Sequence, residues 1–177
     1  MASMLDTSLR SDQNTEVHKF YSGSILLVAF FALILQAFLH KYGRWSELLD
    51  FPLLVTIYFS VSRRNPVTGV LLGALIGIAQ DGLSHDNPIG LYGIAKTFVG
   101  YLASTVGARI DTEHPVSRFA LAFLLFHVHQ VVLAFTERVL LNQAEPFFTL
   151  HLLLDSLVTA AAGVALFALL DRLRRPS

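Results

Sequence analysis

The chain has 177 residues, of which 54% are hydrophobic and only 15% are charged. A soluble domain carries about 25% charged residues, so most of this surface is expected to face lipid, and an ordinary soluble fold is excluded. The formal net charge is zero and cysteine is absent. A basic nucleic-acid-binding surface, disulfides and thiolate metal sites are therefore excluded as well.

Six apolar segments follow one another with short connections: residues 23–40, 49–62, 66–85, 88–108, 115–136 and 148–170. About 20 helical residues cross the hydrocarbon layer, and four segments reach this length comfortably. The segment 49–62 is short, and we interpret it as a spanning helix rather than a re-entrant one. The pattern predicts an all-α integral membrane protein, a six-transmembrane-helix bundle over residues 23–171. Cytoplasmic tails are expected on either side, a polar one at 1–22 and a basic one at 172–177.

Proline residues support these boundaries, because each of five connections has one at or just before the next segment: Pro52, Pro66, Pro88, Pro115 and Pro146. Proline suits the first turn of a helix, where no hydrogen bond is lost. Short polar residues precede four of these prolines as expected N-caps: Asp50, Asn65, Asn87 and Thr112. The prolines and caps together predict where the helices begin.

The distribution of lysine and arginine predicts that both termini lie in the cytoplasm. In this orientation nine basic residues are cytoplasmic: Arg10, Lys19, Arg63, Arg64, Arg109, Arg118, Arg172, Arg174 and Arg175. Three fall in the outer loops, namely Lys41, Arg44 and Arg138. Cytoplasmic loops of membrane proteins carry an excess of lysine and arginine, so the bias favours this orientation.

Gly69, Gly73, Gly77 and Asp81 recur every four residues and therefore form one stripe along the third helix. Small residues at this spacing let two helices approach to backbone contact, which is how helices associate in lipid. The stripe predicts helix packing in preference to ligand binding.

Asp81 and Lys96 are the most deeply embedded ionisable residues. A charge at the centre of a membrane helix costs about 2.5–3.5 kcal/mol, so each requires a partner or water. The two lie about 6 and 12 Å from the predicted hairpin between their helices, which a lysine side chain can bridge. We expect an Asp81–Lys96 pair that fixes two helices together, with a substrate or proton site as the less favoured interpretation.

Catalytic and metal-binding patterns are absent from the sequence. His127 and His129 lie about 200° apart around a helix and cannot chelate together, and His151 with Asp155 offers too few ligands. No hydrolase, metalloprotease or phosphate-binding motif occurs. We expect no enzyme activity, no metal and no cofactor.

The stretch from Gly69 to Ala103 resembles the central signature of the rod shape-determining protein MreD family. In that family a glycine-rich helix ends in an Asp–x–Leu–Ser-like segment, followed by a turn and a Thr–x–x–Gly–Tyr–Leu helix. The matching residues here are Asp81, Leu83, Ser84, Pro88, Gly90, Leu91, Thr97, Gly100, Tyr101 and Leu102. We expect helix-packing or partner-binding roles for Gly69, Gly73, Gly77, Gly93, Gly100 and Tyr101, and a hairpin turn at Ser84, Pro88 and Gly90.

The resemblance implies a non-enzymatic component of the bacterial inner membrane that supports peptidoglycan synthesis and rod cell shape. It implies direct binding to the single-span protein MreC. RodA, the transpeptidase partner of RodA and the MreB filament belong to the same complex, with membrane lipid around the chain. It also implies a fold similar to the substrate-binding (S) subunits of energy-coupling-factor transporters.

Two other functions remain open from the sequence. A substrate-binding subunit of a vitamin transporter would line a cavity with Asp81, Lys96 and histidines, and a ligand would co-purify with it. An intramembrane enzyme is the weakest alternative, because no motif supports it.

Overall fold

A computed structural model describes residues 22–41, 49–84, 90–110, 112, 114–142 and 150–172. Across these residues the chain forms six helices: α1 (Ser22–His40), α2 (Phe51–Arg63), α3 (Pro66–Leu83), α4 (Leu91–Gly107), α5 (Pro115–Leu140) and α6 (Leu150–Asp171). The predicted tails, apart from Ser22 and Arg172, lie outside the described residues, and so do Asn87, Pro88 and Pro146.

Proline and polar caps begin three of the helices. Pro52, Pro66 and Pro115 lie in the first turns of α2, α3 and α5. Asp50 caps α2 by accepting from the Leu53 N–H at 2.9 Å, and Asn65 accepts from the Val67 N–H at 2.9 Å, as predicted. The predicted Thr112 cap is wrong. His114 stands directly before Pro115, and its Nδ1 accepts from the Val116 N–H at 3.3 Å.

The helix ends differ from the apolar segments where local geometry overrides hydropathy. Helix α3 ends at Leu83, two residues before the predicted end, because Ser84 has an extended ψ of 117°. Helix α4 begins at Leu91 rather than 88, because Gly90 has a φ of 114°, which side-chain-bearing residues rarely adopt. Helix α5 continues past Thr136 to Leu140, because a helix can extend into water beyond its apolar part.

Helix α2 is the centre of the bundle. Every residue from Pro52 to Ser62 is buried, and α2 packs against all five other helices. Most side chains in this stretch are apolar and its polar ones, Thr56, Ser60 and Ser62, are small, which suits a helix that is enclosed on every side. At about 1.5 Å per residue its 13 residues rise about 20 Å, less than the roughly 30 Å hydrocarbon layer.

The other helices surround α2 as an open ring. Around the ring each helix contacts the next, in the order α1, α3, α4, α5 and α6. The pair α3–α4 packs most extensively. No Cα atom of α1 lies within 8 Å of one of α6, so the ring stays open between the first and last helices.

Three helices are long and apolar enough to cross a membrane: Pro66–Leu83, Pro115–Leu140 and Leu150–Asp171. The apolar stretches Gly23–Leu39 of α1 and Phe51–Arg63 of α2 are shorter. The outward faces carry many exposed large apolar side chains, including Leu27, Phe31, Leu75 and Leu124. A soluble protein rarely exposes so much contiguous apolar surface, so the all-helical fold is that of a membrane protein. The six-span count stays a prediction.

Candidate functional site

The predicted glycine stripe lies in the interface between α3 and α4. A methyl group added to Gly69 or Gly73 would collide with the α4 backbone at Gly100 or Lys96, respectively. At Gly77 it would lie 2.6 Å from the Cα of Gly93. These glycines therefore place two backbones in direct contact, as small residues do between membrane helices. The predicted packing geometry is present, while a role in partner binding stays a prediction.

Asp81 holds the beginning of α4. Its two carboxylate oxygens accept from the backbone N–H groups of Gly90, Tyr92 and Gly93 at 3.0, 3.0 and 2.9 Å. The first N–H groups of a helix lack partners within the helix and carry a partial positive charge, so a carboxylate is stabilised there. Asp81 is 1% exposed. One side chain of α3 thus caps the neighbouring helix from outside.

Lys96 does not pair with Asp81, and the predicted pair is wrong in this respect. The Lys96 Nζ lies 2.6 Å from the Oδ2 of Asp50, in an ion pair within the bundle. The physical reason is that the backbone N–H groups of α4 already occupy the Asp81 carboxylate. Asp50 precedes the short central helix, which brings its carboxylate to the depth of Lys96.

His129 of α5 completes this buried polar cluster, which we define as Asp50, Lys96 and His129. Its Nε2 lies 3.3 Å from the Lys96 Nζ. An ammonium group can only donate, so this contact places the ring hydrogen on Nδ1. The Tyr92 ring stacks on the imidazole at 6.1 Å between centroids and lies 5.2 Å from the Lys96 Nζ, within cation–π range.

The cluster joins three helices through side chains that are almost fully enclosed. Lys96 is 0% exposed and His129 is 2% exposed. The opposite charges of Lys96 and Asp50 offset each other, which makes an embedded lysine tolerable. The Nδ1 of His129 is buried without a hydrogen-bond partner among the described residues.

Sequence reasoning missed the roles of Asp50 and His129 in this cluster. The sequence predicts Asp50 as a helix cap, which it also is. For His129 the sequence offers no chelating neighbour, and only the transporter alternative gives the histidines a role, in lining a cavity. A usable signal existed, since Asp50 directly precedes the mostly apolar segment 51–61. A buried carboxylate needs hydrogen-bond donors or a cation, so the sequence position of Asp50 called for a buried partner.

A second polar contact ties together the opposite end of the bundle. The Tyr58 hydroxyl donates to Asp171 Oδ1 at 2.8 Å, and Arg118 lies 2.6 Å from Asp171 Oδ2. Arg118 also donates through Nε to the Thr112 carbonyl at 2.8 Å. Helices α2, α5 and α6 are thereby joined at one level.

The remaining predicted residues occupy varied positions. Tyr101 is 46% exposed and lines an open groove of about 580 Å³ with Ala74 and Thr97, outside the glycine interface. Ser84 ends α3, and its N–H donates to the Gln80 carbonyl at 3.0 Å. Gly90 forms the turn before α4, whereas the predicted Pro88 lies outside the described residues.

Within the described ranges, no group of three or more histidine, aspartate or glutamate residues could hold a metal ion. The Lys96 ammonium and the Asp50 carboxylate, which could move protons or bind charge, are held against each other. The arrangement is suited to fixing helix positions.

The family model for the rod shape-determining protein MreD matches residues 17–173, which include every described helix. No curated protein and no solved structure matches the chain, so the similarity to energy-coupling-factor S subunits stays a prediction. The family match agrees with the long apolar helices and with the glycine-rich signature. The chain therefore belongs to the MreD family of rod shape-determining proteins.

Proposed function

We propose that the chain is a non-enzymatic component of the bacterial cell-elongation complex that binds MreC in the inner membrane and supports peptidoglycan synthesis. The observation that carries this proposal is the family match over residues 17–173. RodA, its transpeptidase partner and MreB are the further members of the complex, and no cofactor is required.

The topology proposed for this role has six spans with both termini in the cytoplasm. In this topology successive helices alternate in direction, which would put Arg63, Arg64, Arg118 and Arg172 at one end of the bundle. The contact of Tyr58 and Arg118 with Asp171 supports placing the end of α2, the start of α5 and the end of α6 at this level. The positive-inside rule assigns it to the cytoplasm.

The mechanism is docking within the membrane. The buried polar cluster, the Asp81 cap and the glycine interface restrain the inner helices, which favours a fixed outer surface. Large apolar side chains cover that surface on α1, α3 and α6, where van der Waals contact with another helix is available. A rigid surface binds with a smaller loss of conformational freedom than a mobile one, which suits a scaffold.

Affinity purification from membranes of the host bacterium tests the proposal. The tagged full-length chain in mild detergent should retain MreC, while an unrelated tagged membrane protein of similar size should not. Retention of a vitamin or of a transport ATPase in place of MreC would instead identify the substrate-binding subunit of an energy-coupling-factor transporter, and the proposal would fail.

A further inference from the structure

The opening in the helix ring forms a cleft that faces the membrane. Its walls are α1, at Val28 and Leu35, and α6, at Leu166 and Leu169, and its floor is the central helix at Phe51 and Val55. The volume is about 720 Å³, within the roughly 300–1,000 Å³ of typical ligand sites. The gap exists because α1 and α6 do not pack against each other, and among the described residues Phe51 at the cleft floor is only partly buried.

One end of this cleft carries a positive charge. Arg172 directly follows α6 and is the charged member of the described lining residues, the others being apolar. Its side chain is exposed. A long apolar cleft with a cation at one end matches a phospholipid, because the acyl chain can lie along the apolar part and the negatively charged phosphate can lie at the cation.

The carboxylate next to Arg172 in sequence contacts other helices of the bundle. Asp171 is turned toward the bundle, where Arg118 lies 2.6 Å from one oxygen and the Tyr58 hydroxyl donates to the other at 2.8 Å. Asp171 is therefore engaged with α2 and α5. The Arg172 side chain is exposed and lines the cleft, where a phosphate group can accept hydrogen bonds from its guanidinium.

We propose that this cleft binds one anionic phospholipid, with an acyl chain between α1 and α6 and its phosphate on Arg172. The charge complementarity of Arg172 favours a lipid over an apolar protein helix, which would leave the cation without a matching group. The lipid would fill the gap in the ring between α1 and α6. The proposal concerns a site on the chain itself and does not depend on the binding of MreC.

Tryptophan quenching by brominated lipids measures occupancy at chosen positions. The sequence has a single tryptophan, so Trp45→Phe gives a background without one. In this background, Leu169→Trp reports on the cleft and Leu124→Trp on a lipid-facing position of α5. The two leucines are similarly exposed, at 58% and 62%. Each full-length variant is reconstituted with brominated phosphatidylglycerol or brominated phosphatidylcholine, and the ratio of the two binding constants is compared.

At position 169 the anionic lipid should be preferred about fivefold, the factor that corresponds to about 1 kcal/mol for one basic residue near a phosphate. At position 124 the ratio should be about one. Adding Arg172→Gln should remove the preference at position 169, and Arg172→Lys should keep most of it. Equal ratios at the two positions, or a preference unchanged by Arg172→Gln, would overturn the proposal. Protection of position 169 from both lipids would also overturn it, because a protein segment would then fill the cleft.

Discussion

Replacing Gly73 by alanine adds one methyl group between the backbones of α3 and α4. The new carbon would lie 2.6 Å from the carbonyl carbon of Lys96 and 2.9 Å from the Cα of Thr97. Carbon atoms in contact normally lie about 3.5–4.0 Å apart, so the helices must separate by about 1 Å. The atoms that collide belong to backbone, which cannot rotate away. The separation would also displace Lys96 relative to Asp50.

Overpacking of this kind costs about 1–3 kcal/mol. Gly82→Ala is the matched control, because Gly82 lies on the same helix and an added methyl group there has no neighbour within 4 Å. Both substitutions gain a similar helix propensity, so their difference isolates the collision. For a chain of this size 1 kcal/mol shifts Tm by about 2–4 °C, so Gly73→Ala should melt about 2–12 °C below Gly82→Ala.

The purified variants are heated in the same detergent, and size-exclusion chromatography measures the folded fraction that remains at each temperature. The two midpoints give this difference. Equal midpoints for the two variants would refute the reasoning, because they would mean that α3 and α4 are not in backbone contact at Gly73.

Three further predictions follow from the buried polar contacts and use the same unfolding assay. Asp50→Asn and Lys96→Met should each cost about 3–5 kcal/mol, and the double variant should cost clearly less than their sum; additive losses would contradict the ion pair. Asp81→Asn, which keeps one acceptor oxygen, should cost about 1–3 kcal/mol and speed hydrogen exchange at the start of α4, with α1 as the unaffected reference. Arg118→Gln should cost about 1–3 kcal/mol, less than Lys96→Met, because the Arg118 and Asp171 side chains are 10% and 24% exposed whereas Lys96 is fully buried; a loss as large as that of Lys96→Met would contradict this difference.

The helix order and the glycine interface could be predicted from the sequence because their causes are local. Pro66 and Asn65 specify a helix start through φ and a side-chain cap, and no tertiary information is required. The four-residue spacing of Gly69, Gly73 and Gly77 places them on one face whichever helix they meet. Hydropathy also indicates lipid-facing helices without specifying their neighbours.

The partner of Lys96 could not be predicted in this way. Counting residues from the hairpin gives the depth of a side chain only along the two helices that the hairpin joins, α3 and α4. The acidic residue of α3 at a suitable depth is Asp81, so this reasoning predicts Asp81 as the partner. The actual partner, Asp50, directly precedes α2 and lies 46 positions before Lys96 in sequence, and its depth depends on α2 being only 13 residues long. The three N–H groups that occupy Asp81 arise from the turn at Gly90, whose positive φ is likewise a property of the folded chain.

Rod-shape complementation tests the central claim most directly. The host bacterium is depleted of the native chain and supplied with the wild type, Gly82→Ala or Gly73→Ala at matched expression. The account predicts that depletion produces rounded cells, that the wild type and Gly82→Ala restore rods, and that Gly73→Ala restores them poorly. Cells that remain rod-shaped after depletion would contradict the account.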